Sequence, residues 1–146
     1  MSGYAEALKA AGAEVLGFEM AGGWQGNWVA LLRVGGELKA LTGYYGSCSG
    51  CDAYQAEFGF ESHVVVDHGG AETWHEPEDP DHFVAGCAKC EEWRQKLAAF
   101  GAKYLADAEA PSTVLDTLVR EANEYEDEER RNLVKALAGF MKAHHG

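Results

Sequence analysis

Four cysteines in two identical pairs constrain this chain more than any other feature of its sequence. They are Cys48 and Cys51, followed by Cys87 and Cys90, and no other cysteine is present. Two residues between paired cysteines let both sulfurs turn toward one point, and two such pairs supply the ligands of a tetrahedral Zn²⁺ site with Zn–S distances near ~2.3 Å. The spacing therefore predicts a structural zinc site that joins two distant parts of the chain.

The sequence around each pair fits this prediction. The first pair lies in a glycine-rich turn, and the second follows Gly86 at the head of a helical pattern, where a helix N-terminus stabilises thiolates. The 35 residues between the pairs exceed the common ribbon spacing of about 15 to 20. Doubling a closed loop costs only about 0.6 kcal/mol, whereas structural zinc contributes on the order of 10 kcal/mol. The long connection is therefore compatible with zinc.

Other interpretations of the cysteines stay open. They could form disulfides, within or between the pairs, although lasting disulfides are unusual in a cytosolic protein. They could also be buried thiols. A Cys-x-x-Cys pair at a helix start is the working motif of thiol–disulfide enzymes, but neither pair has the surrounding alternation of strands and helices. Four histidines between the pairs are alternative ligands that a complete four-cysteine site does not need: His63, His68, His75 and His82.

Hydrophobic and glycine patterning predict one α+β domain over residues 1–146, the size at which a chain buries roughly 70% of its surface. Extended runs at 15–20, 28–34 and 38–41 are joined by glycine pairs and predict a small antiparallel β-meander, with a further strand at 63–66 as an option. Short helices are expected over the first dozen residues and from Cys51 to Phe58. Residues 68–86 are expected to be the least structured part.

The C-terminal third is helical in pattern. Trp93, Leu97, Phe100 and Tyr104 recur at intervals of four, three and four and form one apolar stripe. A second helix starts at Pro111, and a last helix has Asp127 as its expected N-cap. The last two helices could be separate or one rod. The expected fold is therefore a β-meander joined to a helical C-terminal third by the zinc site.

The charge is strongly acidic and concentrated in the middle of the chain. The formal net charge is −12, and residues 61–92 contain nine acidic groups against one basic group. Such a field repels nucleic acid and anionic membranes and steers a basic partner toward this region. The candidate contacts in the segment 72–82 are Glu72, Glu76, Glu78, Asp79 and Asp81. A solvated loop that only keeps the protein soluble is the simpler interpretation of the same residues.

Catalytic and membrane signals are weak. The glycine pairs lack the order of phosphate-binding loops. Gly46-x-Cys48-x-Gly50 has the shape of a nucleophile elbow, but that elbow belongs to a large parallel sheet, which is not expected here. No apolar run approaches the ~20 residues of a membrane span, and the N-terminus has no signal-peptide pattern. We therefore expect a cytoplasmic protein without an anchor, and a binding protein rather than an enzyme.

Two segments resemble a group of small uncharacterised proteins from bacteriophages and actinobacteria. They are Trp24-Gln25-Gly26-Asn27-Trp28 and the stretch from Gly43 to Gln55, which contains Gly-Ser-Cys-Ser-Gly-Cys-Asp at residues 46–52. No activity comes with the resemblance. It implies a phage or actinobacterial context.

These observations predict a zinc-stabilised acidic protein that binds and modulates a host protein with a basic surface. In a sharper version, the segment 72–82, with 121–129 as a second contributor, imitates the charge of nucleic acid and occupies the basic groove of a host enzyme. Trp24, on the predicted loop, and Trp28, at the start of the run expected at 28–34, are the aromatic candidates for partner contact. The competing function is a thiol–disulfide oxidoreductase that uses one of the cysteine pairs.

Overall fold

The computed structural model describes residues 3–47, 52–58, 63–66, 72–75 and 86–144. Its elements are α1 (Gly3–Ala10), β1 (Glu14–Gly22), β2 (Gly26–Val34), β3 (Glu37–Tyr45), α2 (Ala53–Phe58), β4 (His63–Val66), β5 (Glu72–His75), α3 (Ala88–Leu105), α4 (Pro111–Tyr125) and α5 (Glu128–Ala143). The expected α+β class is confirmed, with a three-stranded antiparallel meander and a helical C-terminal third.

The glycine pairs define the meander as expected. Gly35 and Gly36 link β2 to β3 with φ values of 57° and 84°, which is the left-handed geometry of a tight hairpin turn and carries no steric cost for glycine. In β1, Leu16 is an extra residue between the pairs Val15↔Leu32 and Gly17↔Leu31. Because of this bulge, Val15 and Phe18, three residues apart, pack on the same face of the sheet, whereas Leu16 packs on the other.

The central strand β2 shows that helices cover both faces of the sheet. Trp28, Ala30 and Leu32 point to one side and Val29 and Leu31 to the other, and all five are 0% exposed. Side chains alternate along a strand, so each face has its own core. We call them the aromatic layer, covered by α1, α2 and α3, and the aliphatic layer, covered by α4 and α5.

The aromatic layer depends on a close approach of α1 and α3. At Gly101 a Cβ atom would overlap the backbone carbonyl of Ala7, so glycine is what lets the two helices touch. The layer's buried rings are Tyr4, Trp28, Tyr45, Tyr54, Phe58, Trp93 and Phe100. The apolar stripe expected on α3 is thus confirmed, with Trp93, Leu97 and Phe100 buried.

The aliphatic layer packs Leu118, Leu133 and Leu137 of α4 and α5 against the sheet. The two helices are separate, because Glu126 adopts a left-handed φ of 50° and ends α4. Asp127 then caps α5, its carboxylate accepting the backbone N–H of Glu129 at 2.9 Å. This cap was expected from the sequence.

The middle of the chain differs from the sequence prediction. The optional strand at 63–66 is present, but it pairs with β5 in a separate two-stranded sheet, with His63 opposite His75. Strand β5 lies inside the segment expected to be the least structured. Its Thr73 and Trp74 are good strand formers. The glycines and prolines around them favoured the prediction of an unstructured segment instead.

Candidate functional site

Cys87 and Cys90 lie together at the start of α3. Cys87 is the N-cap residue, with extended backbone and a half-buried side chain, and Cys90 is 1% exposed in the first turn. The backbone N–H of Cys90 is the main cause that lowers the pKa of the Cys87 thiol, and a hydrogen bond from the Cys90 side chain adds to it. A partly accessible sulfur with a lowered pKa can serve as a metal ligand or as a nucleophile.

The other half of the predicted zinc site, Cys48 and Cys51, lies outside the described residues, as do His68 and His82. Within the described ranges, no group of three or more His, Cys, Asp or Glu side chains is arranged to hold a metal ion. The structure therefore does not show the joining of sheet and helices by zinc. The four-cysteine site stays a prediction.

Asp52, the neighbour of Cys51, is an anchor that the sequence analysis did not identify. Its buried carboxylate accepts the Tyr4 hydroxyl at 2.6 Å, the Gly46 backbone N–H at 2.9 Å and the Gln55 backbone N–H at 3.1 Å. These bonds tie both ends of the segment 46–52 together and fix them to α1. The Asp-x-x-Gln spacing of a helix N-cap was the available sequence signal.

The position of α2 beside α3 limits how the two cysteine pairs could share one zinc ion. Tyr54, near the start of α2, contacts Phe100 with ring centroids 5.7 Å apart, whereas Phe58, at its end, contacts Trp93 at 4.8 Å. Phe58 also contacts Phe100 at 5.4 Å, so the start of α2 lies beside Phe100 and only its end reaches Trp93, near the start of α3. Phe100 lies about 15 Å along the α3 axis from Cys90, but sulfurs on one zinc ion lie about 4 Å apart. A shared ion requires the chain before Asp52 to return toward the start of α3.

The turn between β1 and β2 presents a second candidate site. Trp24 is 86% exposed, and Tyr44 (48%) and Met20 (39%) are exposed on the adjoining strands. The Tyr44 hydroxyl donates a hydrogen bond to the Gln25 side-chain oxygen at 2.9 Å, and the Tyr45 hydroxyl donates to the Gly23 carbonyl at 3.2 Å. Strand β3 thus holds the turn that carries Trp24.

Trp28 is not part of this surface, which corrects the grouping of Trp24 with Trp28 as partner contacts. Trp28 is 0% exposed, and its ring stacks on Phe18 with centroids 5.3 Å apart and lies 5.4 Å from Tyr4. The turn ends before Gly26, so residue 28 is already in a strand and points into the aromatic layer. Gly43 leaves the space that the indole fills, since a Cβ there would overlap it.

The acidic run at the α4–α5 junction lies against the same turn. One carboxylate oxygen of Glu129 accepts the backbone N–H of Asn27 at 2.8 Å and its side-chain amide at 3.3 Å. By contrast, four of the five acidic candidates in 72–82 lie outside the described residues: Glu76, Glu78, Asp79 and Asp81. Glu72 is the first residue of β5. The structure therefore places Glu129, at the start of α5, against Gly22, Gly26 and Asn27, which flank the turn that carries Trp24, a proximity that sequence order does not reveal.

No helix in the described part of the chain combines the length and the apolar composition that a membrane crossing needs. Comparison with family models, curated proteins and solved structures finds no match to this chain.

Proposed function

We propose that this protein binds another protein and acts by recognition, without catalysing a reaction. The observation that carries the proposal is the 86% exposure of Trp24 at the tip of the β1–β2 turn. Tryptophan is among the residues that contribute most to protein interfaces when they become buried on binding. The half-exposed Tyr44, which is hydrogen-bonded to Gln25 of the same turn, adds apolar area beside it.

The turn is held before any partner arrives, which supports the proposal. Hydrogen bonds from Tyr44 and Tyr45 restrain Gln25 and Gly23, the residues on either side of Trp24. On the other side of the turn, Glu129 holds Asn27. A side chain on a restrained turn loses less conformational entropy on binding than one on a mobile loop, so more of its burial energy becomes affinity.

The partner proposed is a host-cell protein with a basic surface, met in the cytoplasm. The net charge of −12 supports a basic partner because opposite fields speed association. The resemblance to bacteriophage proteins supports a host protein. In the sharper version of this proposal, the acidic segment 72–82 occupies a groove that otherwise binds nucleic acid, and the protein acts as an inhibitor.

The zinc site belongs to the same proposal as a structural element. A Zn²⁺ ion held by Cys48, Cys51, Cys87 and Cys90 would fasten the segment after β3 to the start of α3. The spacing of the two pairs and the N-cap position of Cys87 support it. Metal analysis of untagged protein purified without chelator is expected to give about one zinc per chain, and protein that folds without bound zinc excludes the site.

Replacement of Trp24 tests the binding function. Wild-type protein, Trp24→Ala and the control Val119→Ala are immobilised, incubated with lysate of a bacterial host, and the retained proteins are quantified by mass spectrometry. Val119 is a 39% exposed apolar residue on α4, so the control removes apolar surface elsewhere. We expect the amount of retained partner to fall at least about tenfold with Trp24→Ala and to stay unchanged with Val119→Ala. Equal retention by wild type and Trp24→Ala contradicts the proposal.

A second candidate function, thiol–disulfide exchange, is favoured by the placement of Cys87 and Cys90. The Cys87 thiolate would attack one sulfur of a partner disulfide and expel the other as a thiolate. Cys90, after losing its proton to solvent, would attack the Cys87 sulfur and release the second partner thiolate. The partner disulfide gains two electrons, and Cys87 and Cys90 end as a disulfide.

Two variants separate this candidate from the zinc site. Cys87→Ser abolishes catalysed reduction of insulin disulfides by dithiothreitol if the pair is a redox centre. Wild-type protein without such activity excludes the enzyme. Cys48→Ser tests the alternative, because loss of both fold and zinc in this variant indicates a structural site, whereas an intact fold indicates that Cys48 is not needed to hold the structure together.

A further inference from the structure

The β1–β2 turn and the α4–α5 junction form one continuous surface, which we call the turn–junction surface (residues 23–25, Tyr44 and residues 124–129). Glu129 connects its two parts through the hydrogen bonds to Asn27. It is also close to Gly22 and Gly26, since Cβ atoms built on these glycines would lie 3.0 and 2.7 Å from the Glu129 carboxylate oxygen. The start of α5 is therefore fixed beside the turn that exposes Trp24.

The junction side of this surface is negatively charged. Residues 121–131 contain six carboxylates and two arginines. Arg130 pairs with Asp127 and with Glu121, and Arg131 pairs with Glu128 at 3.3 Å. Glu124 and Glu126 are exposed, and no ion pair among the described residues neutralises them. Both arginines are thus engaged inside the junction, and an excess of negative charge faces solvent.

We propose that the turn–junction surface is the docking site for one kind of partner, a protein whose apolar pocket is flanked by lysine or arginine side chains. Trp24 enters the pocket, and Glu124 and Glu126 attract the flanking cations. This inference rests on the proposed binding function and names the chemistry of its partner. Partner cations within about 8 Å of Glu124 and Glu126, the Debye length in physiological salt, are attracted by carboxylates whose charge is incompletely screened.

Charge complementarity distinguishes among the partners that could bind an exposed aromatic turn: a second copy of this chain, an anionic membrane and a basic protein. A second copy of this chain in a two-fold dimer would bring two acidic junctions together, and like charges across an interface are unfavourable. An anionic membrane surface would be repelled for the same reason. A basic protein surface matches both the exposed ring and the excess carboxylates.

A peptide titration tests the inference even though the natural partner is unidentified. The probe is an amphipathic peptide of lysine and leucine, and its control is a lysine–serine peptide of equal charge. Dissociation constants are measured calorimetrically between about 0.02 and 0.3 M NaCl, a range over which the Debye length falls about fourfold. The variants are Glu124→Gln with Glu126→Gln, the charge-matched control Glu91→Gln with Glu92→Gln on α3, and Trp24→Ala.

The expected results differ for each variant. The pair at Glu124 and Glu126 weakens binding of the lysine–leucine peptide about tenfold at low salt and flattens its salt dependence, whereas the pair at Glu91 and Glu92 changes it less than about twofold. Trp24→Ala weakens this peptide at every salt concentration and leaves the lysine–serine peptide unchanged. Thermal melts of each variant verify that the fold is intact.

Two results overturn the inference in distinguishable ways. Equal effects of the two glutamine pairs, together with a loss in Trp24→Ala, show that the charge acts diffusely, so the docking inference fails while binding through Trp24 stands. No effect of Trp24→Ala on the lysine–leucine peptide removes Trp24 from the surface and counts against the proposed function as well.

Discussion

The two layers that cover the sheet are equally buried but differently built. The aromatic layer joins tilted and edge-on rings to a buried carboxylate, Asp52, and contains two indole N–H groups, of Trp28 and Trp93, without a hydrogen-bond partner among the described residues. The buried cluster of the aliphatic layer consists of alanine, valine and leucine. The aliphatic side of the sheet therefore depends on the packing of apolar volume alone, whereas the stability of the aromatic side also depends on hydrogen bonds and on pH.

The largest expected effect comes from a tryptophan in the aromatic layer. Trp28→Ala should lower the free energy of unfolding by about 4 kcal/mol, because it removes a fully buried ring and leaves a cavity. Trp24→Ala is the matched control and should change it by less than about 0.5 kcal/mol, since its ring is 86% exposed. Urea titrations of both variants measure the difference, and equal losses would mean that the burial of the two residues is misassigned.

In the aliphatic layer, Leu137→Ala should cost about 3 kcal/mol. Leu137 is 0% exposed and its contacts are apolar, so the loss should not change between pH 6 and pH 10. The measurement is the urea midpoint of the variant relative to wild type at several pH values. A loss that varies with pH would remove the distinction between the two layers.

The buried carboxylate gives the next effect. Asp52→Ala should cost about 2 kcal/mol, because the Tyr4 hydroxyl and the backbone N–H groups of Gly46 and Gln55 lose their acceptor. The variant should also release the start of α2, which hydrogen exchange at Gln55 would detect. Unchanged protection there would show that Asp52 does not anchor this segment.

The smallest effect is a pH dependence. Burial, assisted by the hydrogen bond to Asp52, raises the pKa of Tyr4 above its ordinary value, and burial also raises the pKa of Tyr104. The folded state therefore keeps protons that the unfolded state loses, so this stabilisation is complete below about pH 10 and decreases at higher pH. Tyr4→Phe should flatten the alkaline decline, whereas Tyr125→Phe, at a 62% exposed residue, should not. Equal slopes for both variants would refute the assignment.

The sequence predicted the elements with local signals and missed those that depend on tertiary placement. The Gly35-Gly36 turn, the stripe on α3 and the Asp127 cap are encoded within a few residues, and all three are confirmed. The second strand is expected from residue 28 and begins at Gly26, and the pattern does not show that Trp28 points into the aromatic layer. Strand β5 is short, and glycine and proline flanks hid it.

In the candidate site, too, local features could be predicted from the sequence and tertiary contacts could not. The position of Cys87 and Cys90 at a helix start could be predicted because it is a local property of the chain, and it is confirmed. The proximity of Glu129 to the β1–β2 turn joins residues 102 positions apart. No pattern in a single sequence encodes such a contact, because it arises from packing of α5 on β1 and β2.

Photo-crosslinking from position 24 tests the central claim, recognition through the exposed turn, most directly. A benzophenone amino acid replaces Trp24 in one preparation and Val119 in another, and each is irradiated in lysate of a bacterial host. We expect a discrete protein adduct from position 24 that is absent from position 119 and weakens as salt is added. Adducts of equal yield from both positions, or none from position 24, would contradict it.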